Sequence, residues 1–222
     1  MDMSRKESGM SHLHKQFEDA IALMGISTHD FPIALFYNAP VGIRFEIGES
    51  KNMFFPGTRR INPAYRNNAL IRAKTLFDDL PYSPNILRID IYPQEKSTSK
   101  RDILRVISKI GLLPPHETIT QRRFDEHSSY IQEHLYWDLS TSTYQADKLL
   151  LEIINGDLDG YSELCGSTYF LNTECPILYY LYDDRGADVI AKDKSRLRPL
   201  YQKYSGWILE YDRERIDRIF AE

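Results

Sequence analysis

The stretch Tyr179-Tyr180-Leu181-Tyr182-Asp183-Asp184-Arg185-Gly186-Ala187-Asp188-Val189-Ile190 holds two strand-like runs joined by four turn-forming residues. Aromatic and β-branched side chains favour extended backbone. Asp opens a type I turn readily, and Gly supplies the left-handed position of a bulged hairpin. The segment therefore predicts a β-hairpin. The same residues allow a second reading, in which Asp183, Asp184 and Asp188 form a carboxylate cluster countered by Arg185, able to hold a metal or grip a cationic partner.

Outward from the hairpin, strand signals recur at residues 167–171 and 130–139, with a partner run at 117–124. The run 86–92 alternates, placing Leu87, Ile89 and Ile91 on one face and Arg88 and Asp90 on the other, as in a strand buried on one side. Runs 33–37 and 43–47 flank Asn38-Ala39-Pro40-Val41-Gly42 and predict a second hairpin. Helical spacing appears over residues 13–24, 69–80, 103–110, 149–154, 197–204 and 213–220. Asn62-Pro63 starts one of these helices, and Ser142 with Gln145 resembles a capping box for another. The fold class that follows is α+β, a mixed, mostly antiparallel sheet flanked by helices. Leu113-Pro114-Pro115 is the sharpest break, so two lobes are expected, residues 1–115 and 116–222.

Composition narrows function by exclusion. The 222 residues carry 28 Lys+Arg and 32 Asp+Glu, with 42% hydrophobic residues, as in a globular protein with a full core. The first residues carry charge and no apolar run, so no signal peptide is expected, and no window reaches the length of a membrane span. With two cysteines, Cys165 and Cys175, a cytoplasmic setting is expected. Phosphate-binding glycine loops, the nucleophile elbow, H-E-x-x-H and C-x-x-C are all missing from the sequence. Asn155, Asp157, Asp159 and Gly160 match the first half of a calcium loop. Gly166 stands where the bidentate Glu belongs, so a polar loop is the better reading. No cofactor or metal is expected.

Charge is distributed unevenly. Between residues 124 and 190, Lys148 and Arg185 oppose 13 acids, and eight tyrosines share the window. An acidic, tyrosine-rich surface suits docking onto a basic protein and repels nucleic acid.

Four blocks resemble an uncharacterised bacterial family, domain of unknown function 3885. They are Tyr169-Phe170-Leu171-Asn172, the segment from Leu181 to Val189, Leu200-Tyr201-Gln202-Lys203-Tyr204, and Trp207-Ile208-Leu209-Glu210-Tyr211-Asp212-Arg213-Glu214. Weaker similarity extends through Ile43-Arg44-Phe45-Glu46-Ile47-Gly48. The resemblance implies a small α/β protein with no established activity. By analogy of context it suggests an immunity protein that neutralises a cognate toxin domain, a basic nuclease being the example that fits. The partner-binding residues expected are Asp157, Asp159, Tyr182, Asp183, Asp184, Arg185 and Asp188. The alternative is a small-ligand or nucleotide-handling enzyme built on the Asp183–Asp188 cluster.

Overall fold

The computed structural model describes residues 13–28, 31, 35–48, 53–92, 100–124, 129–158, 164 and 166–221. In chain order these form α1 (Leu13–Leu23), α2 (Leu35–Asn38), β1 (Gly42–Glu46), α3 (Pro63–Asp78), β2 (Ile86–Ile91), α4 (Lys100–Lys109), β3 (Glu117–Phe124) and β4 (Ser129–Asp138). They continue with α5 (Ala146–Gly156), β5 (Ser167–Asn172), β6 (Ile177–Leu181), β7 (Gly186–Ala191), α6 (Lys194–Lys203) and α7 (Arg213–Phe220). Two short 3-10 turns, Ser205–Trp207 and Glu210–Asp212, link the last helices.

The seven strands make one antiparallel sheet in the order β1-β7-β6-β5-β2-β4-β3. The hairpins β3–β4 and β6–β7 are the ones the sequence predicts. The expected division at residue 115 does not separate two lobes. β2, from the first half, lies between β5 and β4 of the second, and β1 pairs with β7. A residue-level break at Pro114-Pro115 ends a connection; it does not decide which strand edges pair.

A second correction concerns residues 33–37. Leu35–Asn38 is a helical turn, closed by the Ala39 N–H donating to Leu35 O at 3.1 Å, and β1 finds its partner in β7. A short apolar run is compatible with a buried strand or a buried helical turn, and only its neighbours decide between them.

Both faces of the sheet are covered. On one, Leu87, Ile89, Leu135, Phe170, Tyr179 and Val189 pack with side chains of α3 to α7. On the other, Phe17, Ile21 and Phe31 cover Ile86, Tyr136, Tyr169, Leu178 and Ile190. β2 is consequently buried along its whole length, on the Arg88–Asp90 face as well.

The strand register sets one row of directly opposed residues across this second face. It runs Arg44, Asp188, Tyr180, Tyr169, Arg88, Tyr136, Glu117, one from each strand. Arg88 donates to Asp90 through Nε at 2.6 Å and Nη2 at 2.9 Å. Four rings, of Phe17, Phe31, Tyr136 and Tyr169, stand within 5.8 Å of its guanidinium carbon. His134 is 1% exposed, with Nδ1 2.6 Å from Asp90 Oδ1. Burial pushes the Asp90 carboxyl up, but the Arg88 charge and the hydrogen bonds from His134 and Arg88 outweigh it and hold it below the usual range.

The caps are partly as expected. Asn62 Oδ1 accepts from the Ala64 N–H at 3.0 Å and Pro63 opens α3. Ser142 does not cap α5: its hydroxyl donates to Asp138 O at 2.7 Å, and Gln145 at the N-cap makes no side-chain cap bond.

Candidate functional site

The Asp-Asp-Arg-Gly turn is built by its first Asp. Asp183 Oδ1 accepts from the backbone N–H of Arg185 at 2.7 Å and of Gly186 at 3.3 Å, while Oδ2 accepts from Arg185 Nε at 2.8 Å. Such self-bonding is what makes Asp a turn residue. Gly186 is required for space, since its φ is not among the positive values: a Cβ there would stand 1.8 Å from Tyr182 Oη.

Asp184 is 1% exposed. The Tyr65 hydroxyl, carried on the first turns of α3, donates to its Oδ2. The approach needs a glycine behind it, because a Cβ at Gly48 would lie 2.4 Å from Tyr65 Oη and 2.5 Å from Asp184 O. Burial raises the Asp184 carboxyl and the nearby Asp183 charge adds to this, while the bond from Tyr65 pulls it part of the way back. Burial and the same carboxylate raise the Tyr65 phenol.

Asp188 does not join them. It sits in the buried row on the far side of the sheet, opposite Arg44, which donates to it through Nε at 2.7 Å and Nη2 at 3.0 Å. Arg44 also lies 3.8 Å from Asp212 and against the rings of Phe36, Tyr37 and Tyr182. Tyr37 donates to Asp212 Oδ1 at 2.9 Å. Tyr182 is half-buried beside this cluster, and burial followed by the Asp188 charge raises its hydroxyl. Alternation along β7 separates Asp188 from the turn, and the covering of both faces makes its partner internal.

What faces solvent at the turn is a groove of about 700 Å³. One wall carries Asp157, Leu158, Asp184 and Arg185, and the other carries Phe54, Arg59, Arg60 and their neighbours. The second wall is a small loop. Phe54 bridges to Ile61, the Phe55 N–H donates to Arg60 O at 3.0 Å, and Gly57 takes φ of +72° at the tip. Phe54 and Phe55 are 44% and 38% exposed, and the Arg60 guanidinium lies 5.5 Å from the Phe55 ring centroid. On the first wall Arg185 reaches Asp157 at 3.2 Å as well as Asp183.

One carboxylate oxygen each from Asp157, Asp183 and Asp184 lies within 4.8 Å of the others, the grouping a metal ion would use. Arg185 already bridges two of the three, so an ion would have to displace an internal cation. Of the expected residues, the fold gathers Asp157, Asp183, Asp184 and Arg185. It sets Tyr182 and Asp188 apart, and Asp159 lies outside the described residues, as do Gly160 of the calcium-like half-loop and Cys165. Sequence reasoning missed Tyr65, Gly48 and the Phe54–Phe55 pair. Gly48 ends the Ile43–Gly48 block and was the one available signal.

A model of the family described as Domain of unknown function (DUF3885) matches residues 17–212. The chain belongs to this family. The DUF3885 match runs from Phe17 in the aromatic cover over Arg88 to Asp212 beside Arg44. It takes in both groove walls and every strand of the sheet, which agrees with one folding unit. The uncharacterized protein YnaE of Bacillus subtilis (strain 168) is 48% identical over 52 residues. That stretch is 23% of this chain and spans 24% of YnaE. No solved structure matches the chain. Among the described residues, no helix is long and apolar enough to cross a membrane.

Proposed function

We propose that this DUF3885 protein is a non-catalytic protein-binding module, in its sharpest form an immunity protein that covers a cognate toxin domain. The observation that carries the reading is the groove rim. Phe54, Arg59, Arg60 and Arg185 line a concavity that is tied down by the bonds of Asp183 and Asp184. Aromatic and arginine side chains dominate measured interface energies. A surface fixed before docking loses little conformational freedom on binding.

The charge of the docking surface differs from a plain acidic face. Asp183, Asp184 and Asp188 have internal partners, and Asp157 is the exposed carboxylate among them. The partner surface that fits offers an apolar anchor for Phe54 and carboxylates for Arg59 and Arg60. The test is affinity purification of the tagged chain from its native host, followed by titration of the recovered partner against the wild type and Phe54→Ala/Arg59→Glu. A stoichiometric partner whose affinity falls at least about 30-fold in the variant is expected, from a hot-spot loss of about 2 kcal/mol. Equal affinity for both proteins would reject the groove as the docking surface.

A further inference from the structure

A second concavity, about 670 Å³ in volume, lies where β1 and β6 begin, β7 ends and α6 begins. Its backbone floor is fixed by two hydrogen bonds: the Ala191 N–H donates to Val41 O at 3.3 Å, and the Lys192 N–H donates to Pro176 O at 3.2 Å. Val41 and Pro176 give it an apolar side, and Lys192, Lys194, Arg196, Cys175, Glu174 and Asp193 line the rest. Its volume lies within the roughly 300–1,000 Å³ of small-molecule sites.

Three cations here face two carboxylates, Glu174 and Asp193, which leaves one positive charge in excess. Among the described residues, the Lys192 and Lys194 ammonium groups have no side-chain partner in an ion pair or hydrogen bond. Arg196 donates through Nη1 to Tyr82 Oη at 2.6 Å and stacks on that ring at 5.3 Å, which fixes its direction and leaves its other N–H groups available. The lining carboxylate Asp193 caps α6: its Oδ1 accepts from the Ser195 N–H at 2.8 Å, and the Ser195 bonds, followed by the Arg196 and Lys194 charges, hold it below the usual range. No acidic residue stands in the first turn of α6, while Lys194 and Arg196 do. Cations at the positive end of a helix dipole oppose it.

We propose that this concavity binds a small phosphomonoester, with Lys192, Lys194 and Arg196 holding the phosphate and the Val41–Pro176 side taking the organic part. Glu174, exposed at the rim, and Asp193 are the groups that oppose such a ligand. The site is separate from the protein-binding groove and independent of that reading.

Isothermal titration of the full chain with phenyl phosphate at fixed ionic strength tests it, with inorganic phosphate in parallel. Lys192→Glu/Lys194→Glu is expected to weaken phenyl phosphate binding at least tenfold, and Glu174→Gln to tighten it severalfold. Lys148→Glu, an exposed change on α5, should leave it unaltered. In a Cys165→Ser background, bound phenyl phosphate should slow alkylation of Cys175. No measurable binding, or equal weakening by Lys148→Glu, would overturn the proposal, as would a Cys175 alkylation rate that ignores the ligand.

Discussion

Replacing Asp90 by Asn tests how the second face of the sheet is held together. Asp90 is 0% exposed and accepts both Arg88 bonds, at 2.6 and 2.9 Å, in a cage of four aromatic rings that admits no water-facing escape for the guanidinium. Neutralising the carboxylate leaves a buried cation without its counter-charge, a loss of about 3–5 kcal/mol. For a chain of this size that corresponds to a fall in Tm of roughly 6–20 °C. Arg88→Met/Asp90→Leu removes both charges and keeps the volume. It should be less destabilised than either single variant, leaving about 1–3 kcal/mol for the His134 imidazole that loses its acceptor. Urea unfolding and calorimetry of wild type, Arg88→Met, Asp90→Leu and the double at pH 7 close the cycle. The sign with pH is also fixed. A carboxyl held below its ordinary value contributes stability above the carboxylate range and loses it as pH falls through the lowered value, so wild type and Asp90→Asn should converge in acid. A cost below about 1 kcal/mol for Asp90→Asn, or a double variant equal to the sum of the singles, would refute the argument.

Asp184→Asn should act in the opposite sense. The raised Asp184 carboxyl contributes fully below the ordinary value of about 3.9 and loses that contribution as pH rises through its higher folded value. Asn keeps an acceptor for Tyr65 and removes the buried charge. The variant should melt above wild type at pH 7, with the advantage gone by about pH 4, and a lower Tm at pH 7 would contradict this. Gly186→Ala places a Cβ 1.8 Å from Tyr182 Oη, so it should cost about 1–3 kcal/mol in urea unfolding. Adding Tyr182→Ala should recover part of that loss, and a neutral Gly186→Ala would show that the ring moves aside freely. Phe54→Ala, on an exposed side chain, should change stability by no more than about 0.5 kcal/mol, which lets its binding be read without a folding artefact.

The local elements were legible because their signals are local. Asn62-Pro63 starts α3, Gly111 with φ of +93° follows α4, and the alternating runs give β3–β4 and β6–β7 as hairpins. The Asp-Asp-Arg-Gly turn follows from Asp183 bonding its own backbone, an interaction between residues two and three apart. The net charge between residues 124 and 190 was also countable from the sequence. Its meaning was not. β2 enters from the first half and separates the acidic strands, and the second face they share is covered by α1.

Sequence by itself determined the α+β class, the family, most helices and both hairpins, since each depends on neighbours within a few turns of chain. Tertiary structure alone decided that β2 lies between β5 and β4, which brings Arg88 to Asp90 and His134 in a closed interior. It also decided that Asp184 meets Tyr65, 119 residues away, while Asp188 meets Arg44, 144 away. Alternation reports that a strand has a polar face. Whether that face meets water or a buried counter-charge depends on which distant segment packs over it, and no local pattern carries that information.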